Sequence, residues 1–434
     1  MPIARAAGRT AVRLGAVVLC GALLAACGSG SSGGTSDSAG GKVTLTVDLF
    51  GSFGYKEAGL YDEYQKLHPE ITVKQSDTED EADYWKSLQT RLAGGGGLAD
   101  VQGVEVGRIA SVTQQQSDKF EDLKQYGADK LKDKFAEAKW SAAVTQDGRV
   151  LGLGTDVGPE AMCYRTDLFK AAGLPTDRAE LAEKWSTWDG YLALGKEYKK
   201  KAPAKSAWLD SVGSLYSIMI GQEKERYYDG SGKLIYENNP AVKEAWNASV
   251  AAADAGLSAK LDQWSPQWNQ AFAAGSFATM PCPAWMLSYI KGQAGKGGSG
   301  KWDIAKLPGG AGNWGGSYLS VPRAAQHKKE AYALIEWLTA PEQQAKLFRD
   351  QGIFPSSTGA IEEVADAEDP YFSDAPTGQI FGDAAKEAPV QVLGVHDQNV
   401  AQQITNALSE VERKGISSDK AWSNAKKGVD NVIG

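Results

Sequence analysis

Residues 42–50 read KVTLTVDLF, and the apolar positions Val43, Leu45, Val47 and Leu49 alternate with the others. That period of two is the pattern of a half-buried strand. The run ends at Gly51-Ser52-Phe53-Gly54, a glycine-bearing loop. Residues 56–67 have a helical pattern that His68-Pro69 stops, and Ile71-Thr72-Val73 begins a second strand. Trp85, Leu88 and Leu92 give 82–93 helical spacing, the glycines 94–97 halt it, and 100–104 (DVQGV) is a third strand. The order βαβαβ predicts a parallel sheet with helices on both faces. Ligands of such sheets gather outside the carboxyl ends of the strands, which points at Phe53, Asp77, Glu105 and Asp156.

Further along, 148–164 hold two short strand-like runs joined by Asp156-Val157-Gly158-Pro159, a segment suited to passing from one domain into another. Helical patterns cover 165–172, 188–201, 240–255, 328–338, 341–350 and 399–413, while 276–282 and 302–307 are strand-like. No repeat with a solenoid period is present. The reading is α/β with more helix than strand.

The chain has 434 residues, enough for two or three domains. A hydrophobic share of 42% with 23% charged residues is that of an ordinary globular protein and excludes both wholesale disorder and a multi-pass membrane protein. The formal charge is −8, and the first 26 residues hold three arginines (Arg5, Arg9, Arg13) and no acid, so the remainder carries −11. That is a poor surface for nucleic acid, whose phosphates require Lys and Arg. Three histidines (His68, His327, His396) without ligand spacing, and no cysteine pair at zinc spacing, argue against a transition-metal site; no cofactor is expected.

The three arginines precede an apolar stretch, 14–26, that is short for a membrane span but has the length of a signal-peptide core. It ends in Leu24-Ala25-Ala26-Cys27, which looks like a bacterial lipobox, where the cysteine thiol takes a diacylglycerol and becomes the mature N-terminus. Residues 28–41 are Ser/Gly-rich and too polar to bury a core. The expectation is a signal peptide (1–26), a tether (27–41) lipidated at Cys27, and a body held at the outer face of the cell membrane. Cys20 would be discarded and Cys27 lipidated. Cys163 and Cys282 then remain in an oxidising compartment, where a disulfide is expected over two separately buried thiols.

Enzyme signatures are missing: no GxSxG, HExxH or P-loop occurs, and Gly309-Gly310-Ala311-Gly312 lacks the Lys-Ser/Thr of a phosphate loop. The acidic run Asp77, Glu79, Asp80, Glu81, Asp83 lacks the EF-hand glycine and reads mostly as a solvated face. A glycosidase needs only two carboxylates at a set separation, so an anchored lyase or glycosidase stays open as an alternative. The aromatics carry more information, since thirteen tryptophans are present. Trp264 and Trp268 flank Ser265-Pro266-Gln267, Trp285 follows Pro281-Cys282-Pro283-Ala284, and Trp314 stands among glycines in Gly312-Asn313-Trp314-Gly315-Gly316. Trp85, Trp188, Trp246, Trp337 and Trp422 sit in helical patterns and read as core. A sugar ring stacks its C–H face on an indole and offers hydroxyls to short polar side chains. Glu105, Asp156, Asp210 beside Trp208, and Asn313 beside Trp314 supply the polar part.

Taken in order, the lipobox, the tether, LAGGGGLADVQGVEVGRI (92–109), DGRVLGLGTDVGPEAMCYRTDLFKAAGLP (147–175), AFAAGSFATMPCPAW (271–285), NWGGSYLSVP (313–322) and KKEAYALIEWLTAPEQQAKLFRDQGIFPSS (328–357) resemble the carbohydrate-binding proteins of bacterial ABC transporters, the maltose-binding-protein-like group. The likeness covers 42–434 and is nearest to actinobacterial cellobiose- or oligosaccharide-binding lipoproteins. It implies a two-lobed periplasmic-binding-protein fold of type II character, with a ligand cleft between lobes and three hinge crossings. One lobe would hold 42–157 and 305–345, the other 158–304 and 346–434. Glu105 matches a sugar-contacting position, Asp156 a hinge-side polar contact and Trp285 the stacking tryptophan. This chain has Gly158 where maltose-binding relatives carry glutamate. Cys163 and Cys282 would lie on neighbouring strands. The implied function is capture of a small oligosaccharide by a monomeric, lipid-anchored, non-enzymatic component that delivers it to ABC permease subunits; a polyamine or a peptide is the non-sugar alternative.

Overall fold

A computed structural model describes residues 41–433. Among the described residues nine strands form two sheets: β1 (Val43–Phe50), β2 (Ile71–Thr78), β3 (Val101–Glu105), β4 (Leu153–Gly154), β5 (Glu160–Arg165), β6 (Ala207–Leu209), β7 (Phe277–Pro283), β8 (Trp302–Ala305) and β9 (Ser317–Ser320). The first sheet has the order β2-β1-β3-β9-β4 and the second β6-β7-β5-β8. The opening βαβαβ unit is parallel as expected: β1 pairs with β2 from Val43↔Ile71 to Phe50↔Thr78, and with β3 at Val47↔Val101. Elsewhere among the described strands only β6 and β7 pair in parallel, at Ala207↔Phe277 and Leu209↔Thr279. Strand β9 arrives from the other sheet in the opposite direction and pairs antiparallel with both β3 and β4.

Helix ends follow local chemistry. Asp80 caps the helix Glu81–Gly94 by accepting from the Asp83 backbone N–H, and Gly95 closes it in the left-handed conformation. Asn239 caps Pro240–Asp254, with proline in the first turn where its missing N–H costs nothing. Ser265 and Pro266 do the same for Pro266–Ala274. The polar, proline-containing stretch around Trp264 and Trp268 is therefore a helix start and not an irregular loop.

The hydrophobic residues gather around the two sheets. Leu45, Val47, Leu49, Leu153 and Leu319 pack with Ala331, Leu334 and Ile335 of the helix Lys328–Leu338. In the second lobe Met162, Tyr164, Trp185, Trp208 and Tyr216 pack with Ile404 and Leu408 of the helix Asp397–Lys414. Chain passes between the sheets from β4 to β5 and from β8 to β9, and a third passage runs through the helix Pro341–Gln351. Leu347 of that helix belongs to the first core, whereas Ala345 and Phe348 join a core under β7. Ala305 pairs with Met162, so β8 lies wholly in the second sheet and the return passage begins after residue 305.

Cys163 of β5 and Cys282 of β7 form a disulfide between adjacent strands. No helix among the described residues is long and apolar enough to cross a membrane. The signal-peptide, tether and Cys27 expectations lie outside the described residues, apart from Gly41.

Candidate ligand cleft

The three passages run side by side beneath a cleft. Thr155 N–H donates to the Ser317 carbonyl, Val157 N–H to that of Phe354, and Trp314 N–H to that of Gly158. A Cβ on Gly158 would stand 1.9 Å from the Trp314 carbonyl oxygen, so no larger residue fits there. The close approach of two hinge segments thus excludes any side chain at position 158.

The cleft above has a volume of about 310 Å³, within the order of a small-molecule site. The first lobe contributes the loop after β1, including Phe53 and Tyr55, the acidic corner 79–82, and Glu105 at the end of β3. Asp156 and Trp314 come from the hinge segments, and Trp264, Trp285, Tyr289, Arg226, Tyr227 and the face of Asp397–Lys414 that holds Gln398, Gln402 and Glu412 come from the second lobe. Trp264 and Trp285 lie nearly parallel with centroids 6.1 Å apart, Tyr289 is 5.1 Å from Trp264, and Trp314 stands edge-on to Trp285 at 5.7 Å. The Trp285 indole donates to the Trp314 carbonyl at 2.8 Å, tying the aromatic wall to the hinge. Trp264 has φ of 68°, a left-handed conformation that costs a non-glycine residue about 1 kcal/mol and is typical of ligand sites.

Charge in the cleft is shaped by burial. Glu105 accepts from the Gly107 N–H, and burial, with Glu81 adding, pushes its carboxyl up to about 8. Asp156 is raised by burial, with Lys139 opposing. The Lys139 ammonium, over the Tyr318 ring at 3.9 Å and without a hydrogen-bond partner among the described residues, is pushed down to about 8 by burial. Arg226 is paired with Asp397 at 2.7 Å. Among the described residues no group of three or more His, Cys, Asp or Glu is arranged to hold a metal ion.

The lobes meet at the rims. Arg108 holds Glu81 through two bonds of 3.0 Å and also donates to Asn399 of the other lobe. Asn269 donates to Glu79 at 2.8 Å.

Of the residues singled out from sequence, Phe53, Glu105, Asp156, Trp264, Trp285 and Trp314 line this cleft. Five do not. Trp268 and Trp208 are buried in cores, and Asp210, fully buried, accepts from the Trp268 indole at 2.9 Å. Asn313 fastens the hinge by accepting from Gly158 N–H, and Asp77 pairs with Lys56 at 2.7 Å outside the cleft lining. The acidic run is not simply a solvated face, because Glu79, Asp80 and Glu81 line the cleft. Tyr289, Arg226, Tyr227 and Gln402 were missed. Tyr289 lies one helical turn beyond Trp285, a spacing that was readable; the others depend on long-range packing.

A family model for bacterial extracellular solute-binding proteins matches residues 59–375. A lactose-binding protein of Rhizobium radiobacter is 27% identical over 81% of this chain and 83% of its own length. An arabinooligosaccharide-binding protein of Bacillus subtilis (strain 168) is 28% identical over 51% of this chain and 49% of its own. A crystal structure of an extracellular solute-binding protein of family 1 is 43% identical, with a TM-score of 0.75 over 90% of this chain and 100% of that one. The galacto-N-biose/lacto-N-biose I-binding protein of a Bifidobacterium longum ABC transporter, with 21% identity and a TM-score of 0.73, shares the fold. With its two lobes, hinge passages and aromatic cleft, the chain belongs to the bacterial extracellular solute-binding protein family.

Proposed function

We propose that the protein captures a sugar or short oligosaccharide between its lobes and delivers it to the permease of an ABC importer, without chemistry on the sugar. The observation that carries this reading is the wall of Trp264, Trp285 and Trp314 facing polar groups of the opposite lobe and hinge. Indole faces and hydroxyl-binding side chains are satisfied together only when the lobes close, so ligand binding favours closure. Micromolar affinity corresponds to about −8 kcal/mol, enough to move a closure gap of a few kcal/mol. The sugar-binding names of the lactose and arabinooligosaccharide relatives support the same class; cellobiose is the ligand favoured within it. We take the protein to act as a monomer, lipid-anchored at Cys27 on the outer face of the membrane.

Calorimetric titration with lactose, arabino-oligosaccharides, cellobiose and malto-oligosaccharides, followed by chromatography of the sugars, tests the reading. Saturable binding with intact sugar is expected. Shortened products would establish the anchored lyase or glycosidase instead.

A further inference from the structure

We propose that the cleft continues into an outer subsite on the flank of the helix Asp397–Lys414, which makes the ligand an oligosaccharide of three or more units with one end leaving the cleft; this deepens the sugar-binding reading and rests on it. The helix presents two adjoining faces. Gln398, Gln402, Thr405, Ser409 and Glu412, spaced by three or four, line the cleft. Gln403, Ala407, Glu410 and Lys414, spaced likewise, line a groove of about 630 Å³ whose other side is formed by Asn424 and Ala425 of the helix Ser418–Ile433, packed against the first. Asn406 and Ser409, together with Asp262 from the loop before Trp264, line both cavities, so the groove begins where the cleft ends.

The shared edge holds polar atoms without partners. Asp262 pairs with Arg413 at 2.7 Å and pins the loop to the helix there. The side-chain nitrogen of the neighbouring Gln263, which lines the cleft, is buried with no hydrogen-bond partner among the described residues. Glu412, only 5% exposed, spends Oε2 on Ser258 at 2.7 Å and on the Val212 N–H at 3.2 Å, and its Oε1 receives no hydrogen bond from the described residues. A donor and an acceptor left unmade under burial are costly, and a hydroxyl serves either. Beyond the edge, the charges lining the groove balance: Asp262 with Arg413 at 2.7 Å and Glu410 with Lys414 at 3.1 Å. Asn424 donates to Glu410 at 2.8 Å and keeps its oxygen for a guest. Balanced pairs set up no net field that selects an ion. Ala407 and Ala425 are the apolar lining, which gives a peptide's side chains no pocket and a sugar no ring to stack on. The groove therefore suits a neutral sugar unit held through its hydroxyls, with the aromatic wall of the cleft holding the units before it.

The full-chain protein is titrated calorimetrically with cello-, malto-, galacto- and arabino-oligosaccharides of two to six units. In the series that binds, the trisaccharide is expected to bind about fivefold tighter than the disaccharide, the gain of one or two net hydrogen bonds, with no fall in affinity for longer chains. Asn406→Trp, at an exposed position of the shared edge, should bring the ratio of trisaccharide to disaccharide affinity to about one. Asn424→Ala, which removes a hydroxyl partner from the groove, should reduce that ratio about twofold. Both sugars are titrated into the same sample, so partial unfolding of a variant does not move the ratio. A disaccharide that binds as tightly as its longer homologues, or an affinity that falls beyond two units, overturns the proposal and leaves the sugar-binding reading standing. A length gain that survives Asn406→Trp also overturns it, because the added unit is then held elsewhere. If no sugar of any length binds at millimolar concentration, the sugar-binding reading fails and the proposal with it.

Discussion

Trp285 and Trp208 are both tryptophans beside a strand, yet their settings predict opposite phenotypes. Trp285 lines the cleft and packs against Trp264 and Trp314. Trp208 is 1% exposed among Phe169, Trp185 and Tyr191. Trp285→Ala should lower sugar affinity by about 1–3 kcal/mol with little change in melting temperature, while Trp208→Phe should lower the melting temperature and leave affinity within twofold; calorimetric titration beside thermal denaturation checks both. The sequence could separate Trp285 and Trp314 from core tryptophans because proline or glycine flanks them. It could not do so for Trp268, whose Ser265-Pro266 neighbours are a helix cap that a reading for loops overlooks. Glu412 makes a second prediction. Burial pushes its carboxyl up to about 7 from 4.5, so between those values the folded protein keeps a proton that the unfolded chain has lost. Its contribution is present in full below about pH 4.5 and is lost as pH rises through 7. Glu412→Gln should flatten the decline of stability across that window by about 2 kcal/mol, read from urea unfolding at pH 5 and pH 7.5.

At the scale of elements, alternation and capping were readable and long-range pairing was not. The strand 42–50 and the helices 188–201 and 328–338 came directly from period and end signals, and the structure has them as Val43–Phe50, Trp188–Lys201 and Lys328–Leu338. The lobe of β9 was implied by the resemblance, but its antiparallel direction was invisible, because four residues carry no sign of which way they run in the sheet. The acidic run was readable as a mostly solvated face, with Asp77, Glu79 and Asp83 exposed, but not its position at the cleft edge opposite Asn269 and Tyr289, which only the fold sets. The disulfide was legible from counting cysteines in a chain read as exported, and it joins neighbouring strands of the second sheet across a sequence separation of 119. Cys163→Ser with Cys282→Ser should cost about 2–5 kcal/mol of stability, seen as a lower denaturation midpoint that reductant reproduces in the parent protein.

For the whole molecule, the side-by-side hinge passages make the lobes separable bodies that the ligand holds together. Among the described residues the lobes are tied by the hinge and by contacts that include Arg108 to Asn399 on one rim, Asn269 to Glu79 on another, and Leu393 packed on the first-lobe cluster of Tyr84, Leu88 and Val104. Arg108 is 5% exposed and also holds Glu81. Arg108→Ala should therefore weaken ligand binding by about 1–2 kcal/mol and enlarge the radius of gyration of the ligand-free protein, measured by small-angle scattering. The two-lobed plan was legible from the resemblance across 42–434. The close packing of Gly158 on Trp314, which leaves no room for a side chain at 158, emerges only when both hinge segments are placed together.

The most direct test of capture without chemistry is a titration of intrinsic tryptophan fluorescence with the oligosaccharide panel, since Trp264, Trp285 and Trp314 all line the cleft. A saturable change with at least one sugar, recovered intact afterwards, is the predicted result. A flat response to every sugar, or a response accompanied by shortened products, would contradict it.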